Sequence, residues 1–136
     1  MLRALMLAVN GSHFAVPMDT VYQVVRRPVV TEVPLAPVGL IGVVNVRGDV
    51  VPFLDTGLLT RTGSLADAPF AILVQGAQDT LLIAADELPV RTDLDEQVGP
   101  GTRPGELGMY SHGALLVMLV DIEALASSRP APPRAS

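Results

Sequence analysis

The sequence predicts an all-β fold, a sandwich or a barrel, on three observations. The apolar residues come in short runs cut by Gly, Pro, Asn and Asp. Nineteen valines give those runs a strong preference for extended backbone. No window carries the sustained 3.6-residue periodicity of an amphipathic helix, so strand patterns at short spacing dominate. The 136 residues suffice for one domain, or for two small barrels sharing a core. Aromatic residues make up only 4% of the chain, so aliphatic side chains must fill that core.

The elements follow in order. Leu2–Val9 reads as a strand, and Asn10-Gly11 is the strongest short hairpin signal a sequence offers. His13–Pro17 returns, with Phe14 and Val16 on one face. Met18-Asp19-Thr20 reads as a turn, after which Val21–Arg26 resumes an extended pattern. Pro28, Pro34 and Pro37 forbid a helix across 28–37 and point to an edge strand or an exposed loop. Val38–Val46 is nearly all apolar and β-branched, Gly48-Asp49 fits a two-residue primed turn, and Val50–Leu54 leads out. Asp55–Thr60 is read as one helical turn, and 61–69 as a loop between two halves. Phe70–Gln75 and Thr80–Ala85 form a further hairpin around Gly76–Asp79. Residues 92–113 are polar and rich in Gly and Pro, so only fragments of strand are expected there. Ala114–Val120 reads as a buried strand, and Asp121 caps a short helix, Ile122–Ala126. The residues from Ser127 to Ser136 carry three prolines and little to bury, and a disordered tail is expected.

Composition excludes whole classes of chemistry. The chain has no cysteine, which removes disulfide scaffolds, thiolate metal sites and thiol nucleophiles. It also has no lysine, which removes the phosphate-binding-loop lysine and any Schiff-base enzyme. Only His13 and His112 could supply imidazole. The net charge is −5, the wrong sign for a nucleic-acid partner, and the excess acid sits in 79–106. No apolar stretch approaches the roughly 20 residues of a spanning helix, and the N-terminal apolar run ends in turn chemistry. No nucleic-acid partner, no membrane insertion and a cytoplasmic location are therefore expected.

Candidate constellations are few. Ser12-His13 and Ser111-His112 suggest a Ser/His hydrolase, but adjacent strand residues point to opposite faces, and the G-x-S-x-G elbow is missing. Asp93, Asp95 and Glu96 lack the spacing of a calcium loop and read as a solvated acidic segment. Neither a metal nor a cofactor is expected. A stand-alone β-barrel that binds a small ligand remains open as an alternative.

The words of the chain, in order, resemble the CheW-like domain of bacterial chemosensory systems. Phe14-Ala15-Val16-Pro17 followed by Val21–Val25 resembles that family's opening. Pro34, Pro37 and Val38-Gly39-Leu40-Ile41-Gly42-Val43-Val44-Asn45-Val46-Arg47-Gly48 resembles its most diagnostic run, and Val50-Val51-Pro52-Phe53-Leu54-Asp55 continues it. Leu82–Leu88 and Leu115–Glu123 are similar to its later steps. The resemblance covers about residues 2–126 without a missing block.

The resemblance implies two intertwined five-stranded SH3-like barrels on a shared apolar core, with a short C-terminal helix. It implies one domain over 1–126, in approximate halves 10–60 and 65–126 with the first strand shared. It implies a non-catalytic adaptor between the cytoplasmic tip of a methyl-accepting chemoreceptor and the regulatory domain of a CheA-type histidine kinase, serving chemotaxis or pilus or gliding motility. Val21, Gln23, Asn45, Val46 and Arg47 match positions of the receptor-facing surface, with Gln23 where the family usually has a glutamate. Gly42 and Gly48 are expected to be structural, for close backbone approach and positive φ.

Overall fold

A computed structural model describes residues 2–76 and 78–127. Eleven strands run in chain order: β1 (Leu2–Val9), β2 (Ser12–Pro17), β3 (Val21–Arg26), β4 (Leu40–Val46), β5 (Asp49–Leu54), β6 (Phe70–Gln75), β7 (Thr80–Ala85), β8 (Val90–Leu94), β9 (Glu96–Gly99), β10 (Glu106–His112) and β11 (Leu115–Val120). Two short helices accompany them, α1 (Thr56–Leu59) and α2 (Ile122–Ser127). A single 3₁₀ turn, Met18–Thr20, joins β2 to β3, and the Thr20 hydroxyl ties it by donating to the Pro17 carbonyl at 2.7 Å.

The strands form two sheets. The central sheet has the order β3-β6-β7-β5-β4 and comes from one continuous stretch of chain. The terminal sheet has the order β8-β1-β2-β11-β10-β9 and is assembled from both ends of the chain. β8 and β9 are one extended segment bent at Asp95, whose first part pairs with β1 and second with β10. Counted once, that segment gives the terminal sheet five strands too, and its bend brings the two ends of the sheet together into a barrel. Each sheet is closed across its middle by a parallel pair, β2 with β11 and β5 with β7.

Strand alternation explains the core. Leu5, Leu7 and Val9 of β1 and Phe14 and Val16 of β2 face the central sheet, where Phe53, Ile72, Leu82 and Ile83 meet them. Val120, Ile122 and Leu125 complete this shared cluster. A smaller cluster of Ala4, Ala15, Leu94, Val117 and Leu119 fills the interior of the terminal barrel.

Several expectations need correction. The halves 10–60 and 65–126 do not describe how the strands are divided: the central sheet takes 21–85 whole, nested between the two parts of the other. The β4–β5 turn is Arg47-Gly48, not Gly48-Asp49, because Val46 pairs with Asp49. Residues 92–113 hold most of three strands rather than fragments. Their glycines serve the strands: Gly105 at φ 95° turns the chain into β10, and Gly108 at φ 146° sits in a bulge of β10. Leu115 and Leu116, expected to be buried, are exposed at the start of β11; Val117, Leu119 and Val120 are buried, and half-buried Met118 packs against the shared cluster. α2 extends to Ser127, so the expected tail loses its first residue to the helix. Residues 128–136 lie outside the described part. Asp121 does cap α2, accepting from the Ala124 N–H at 3.2 Å.

A polar junction around Glu106 is among those that link the barrels. Glu106, at the start of β10, accepts from the N–H and the hydroxyl of Thr102, both at 2.9 Å, and from the Arg103 N–H at 3.1 Å. Arg103 pairs with the same carboxylate at 3.5 Å and reaches the Leu59 carbonyl at the end of α1. Burial alone would raise the Glu106 pKa, but the Thr102 hydrogen bonds, with those from Arg103 and its charge, outweigh it and hold the carboxyl below its ordinary value. A carboxylate with a lowered folded pKa adds stability that is present above the unfolded pKa, about 4.3, and is lost as pH falls through the folded value. Glu106→Gln should therefore cost about 1–2 kcal/mol at pH 7, from weaker hydrogen bonds. Urea titrations should show the difference from the parent chain shrinking in acid below pH about 4. A constant difference from pH 7 down to 3 would contradict this role.

Candidate functional site

The central sheet places its edge strands β3 and β4 at opposite ends, so a depression across it draws residues from every strand. A trough of about 370 Å³ crosses one end of this sheet. Val51 of β5 and Leu73 of β6, both nearly fully buried, form its floor with half-buried Val46 of β4. Tyr22 and Gln23 of β3, Thr80 of β7, and Arg47 and Asp49 of the β4–β5 hairpin make a polar rim.

The rim is built by local chemistry. Arg47 and Gly48 have φ of 52° and 91°, both in the left-handed region that a two-residue primed hairpin needs. The arginine bears that conformation because the Asn45 side-chain oxygen accepts the Gly48 N–H at 2.9 Å and fastens the turn. Asn45 is thus a brace beneath the turn. Among the described residues, Arg47 has no hydrogen-bond or ion-pair partner, so its guanidinium donors are unsatisfied by the protein. On the facing rim, the Tyr22 hydroxyl donates to the Gln75 side-chain oxygen at 2.9 Å, and the Thr80 hydroxyl donates to the same atom at 3.3 Å. That shared acceptor holds a tyrosine upright although it is 62% exposed.

Of the residues singled out from sequence, Gln23, Val46 and Arg47 meet in this trough. Val21 does not line it; it pairs with Val74 and packs against the shared core. Gly42 has a different task from Gly48. A Cβ at Gly42 would lie 2.5 Å from the Thr31 carbonyl oxygen and 2.6 Å from the Val30 side chain. Its absence lets the segment 27–39 cross β4, where Thr31 and Val43 exchange backbone hydrogen bonds at 2.9 Å. A Cβ at Gly48 would meet nothing, so that position needs glycine for its backbone conformation alone. Tyr22, Asp49 and Thr80 were missed. An aromatic side chain beside Gln23 was the available signal for Tyr22; nothing in the local pattern marks Thr80.

The other polar candidates do not converge. Ser111 donates to the Glu96 carbonyl at 3.5 Å, and the buried Nδ1 of His112 has no hydrogen-bond partner. No group of three potential ligands for a metal ion occurs among the described residues. No helix among them is long and apolar enough to cross a membrane. A second concavity, about 360 Å³, lies where the sheets meet, between Val16, Val74, Leu81 and Ile122.

Comparison with known proteins bears on this geometry. A family model described as the CheW-like domain matches residues 3–130. Among solved structures, the chain is similar to the scaffolding protein TtCheW from Thermoanaerobacter tengcongensis, at 16% identity over 88% of each chain with a TM-score of 0.73. At that identity the likeness is one of fold. No curated protein sequence matches.

Proposed function

Because this chain belongs to the CheW-like domain family, we propose that it is a non-catalytic adaptor, coupling the cytoplasmic tip of a methyl-accepting chemoreceptor to the regulatory domain of a CheA-type histidine kinase. The output is chemotaxis or pilus or gliding motility. The observation that carries the receptor side is the trough in which Gln23, Val46 and Arg47 meet around a floor of Val51 and Leu73. Its apolar floor gives contact area, and its rim gives donors and acceptors of both charges. Arg47, unpaired among the described residues, can take a carboxylate or carbonyl of a partner without breaking a bond to any of them. No cofactor enters this role, since binding and geometry alone transmit the signal.

Titration calorimetry of the chain against a receptor-tip fragment and against a CheA-type regulatory domain tests the proposal. Both are expected to bind, each without displacing the other. If neither binds and a small-molecule screen instead raises the melting temperature, the chain is a ligand-binding barrel, with the concavity between the sheets as its site.

A further inference from the structure

We infer that the open edge of β8 pairs with β8 of a second copy of this chain, antiparallel and centred on Thr92. On one side β8 is paired to β1, with Ala4 opposite Thr92. Among the described residues, no strand pairs with its other side. The chain turns towards β10 only beyond it, where the Asp95 N–H donates to the Ser111 carbonyl at 3.1 Å. Backbone groups alternate along a strand, so those of Arg91 and Asp93 share the open side with that Asp95 N–H. The edge has no bulge and no internal proline, and Val90 on it is exposed. Edges left in that state are templates for another strand, and proteins commonly cover them. The edge of β4 shows such a cover, the Thr31 bridge.

The sequence of β8 then selects its partner. In an antiparallel pair of identical strands, two opposed residues either both direct their backbone groups across the interface or both direct them away from it. The two-fold axis therefore passes through a residue, never between two. Centring on Arg91 sets arginine against arginine, and centring on Asp93 sets aspartate against aspartate; like charges directly opposite are destabilising. Centring on Thr92 sets Arg91 against Asp93 of the second copy, twice by symmetry, and Val90 against Leu94. Asp93 is available for this: it is half exposed, and its contact with Arg3 is long, at 3.9 Å. The match also ends cleanly. The next pair would be Pro89, which has no N–H, against Asp95, whose N–H is already taken. The pairing is thus five residues long, Val90–Leu94, and self-complementary within them.

Sedimentation equilibrium of the full chain up to about 1 mM tests this, with circular dichroism to verify folding. The parent chain should form a dimer, not larger species. Arg91→Asp and Asp93→Arg, made separately, place like charges opposite each other in both symmetric pairs, and each should weaken self-association at least about tenfold. Mixed together, the two variants place unlike charges opposite each other twice, and should associate within a few-fold of the parent. A parent chain that stays monomeric overturns the inference. So do folded single variants that dimerise like the parent, or a mixture that fails to recover association.

Discussion

Arg47→Ala is expected, in the proposed adaptor role, to lower the affinity for a receptor-tip fragment by about 1–3 kcal/mol, the range of an interface hot spot, and to leave stability within about 0.5 kcal/mol. The asymmetry follows from where the residue sits. Its side chain makes no hydrogen bond or ion pair within the described protein, and the turn it occupies is held by Asn45 and Gly48 rather than by the guanidinium. Truncation removes a group that, in the proposed role, acts only on a partner. Alanine also bears the positive φ no better and no worse than arginine does, so the hairpin is not retuned. Kinase binding, which uses another face in this reading, should change little. Calorimetry with both partners and a melting curve on the same preparation separate the cases. Equal loss of both partners with a lowered melting temperature would make Arg47 a structural residue.

Asp55→Ala lowers stability by about 3 kcal/mol, because one buried carboxylate organises the whole passage from β5 to β6. Asp55 is 3% exposed. Its side chain caps α1 by accepting from the Leu58 N–H at 3.1 Å. The same carboxylate accepts from the Leu65 N–H at 2.9 Å and from the Ser64 hydroxyl at 3.1 Å, pinning the connection that follows α1. Alanine leaves two backbone donors without their acceptor, the Leu58 N–H of the lost cap and the N–H of buried Leu65, together with the Ser64 hydroxyl. Asp55→Asn keeps one acceptor oxygen and should recover about half of the loss. Urea unfolding at unchanged m-value reads the difference. A loss below about 1 kcal/mol for the alanine variant would mean that water replaces the carboxylate at both donors.

The local elements were legible where the backbone's needs coincide with residue type. Asn10-Gly11 marks a primed hairpin, and Asn10 and Gly11 adopt φ of 50° and 82°. The second hairpin shows the limit of that logic. Gly48-Asp49 and Arg47-Gly48 are both admissible around one glycine, and the choice was made by Asn45, whose side chain holds the Gly48 N–H from three residues away. Strands β8, β9 and β10 were hidden because few of their side chains are buried, so no apolar alternation marks them; in β8 only Thr92 and Leu94 face inward. The nesting of one sheet within the other was not legible at all. It rests on parallel pairs between remote strands, such as Phe14 with Met118, which leave no periodic trace. The trough shows the same division. Gln23, Val46 and Arg47 lie in stretches that carry the family resemblance, whereas Thr80 and Leu73 arrive from β7 and β6 through sheet order, which only the fold supplies.

That nesting also sets a timetable for the chain as it is made. The strands from Val21 to Ala85 close a complete sheet as soon as they have left the ribosome. The β1–β2 hairpin emerges earlier, yet its remaining partners are β8 and β11, and Leu119, opposite Ala15, comes about a hundred residues later. At synthesis rates of about 5–20 residues per second, the hairpin waits several seconds for β11. Leu5, Leu7 and Phe14 need not stay in water for that time, because Phe53, Ile72 and Leu82, the residues they pack against, belong to the sheet that is already finished. The middle of the chain thus serves as the template on which its beginning rests until its end arrives.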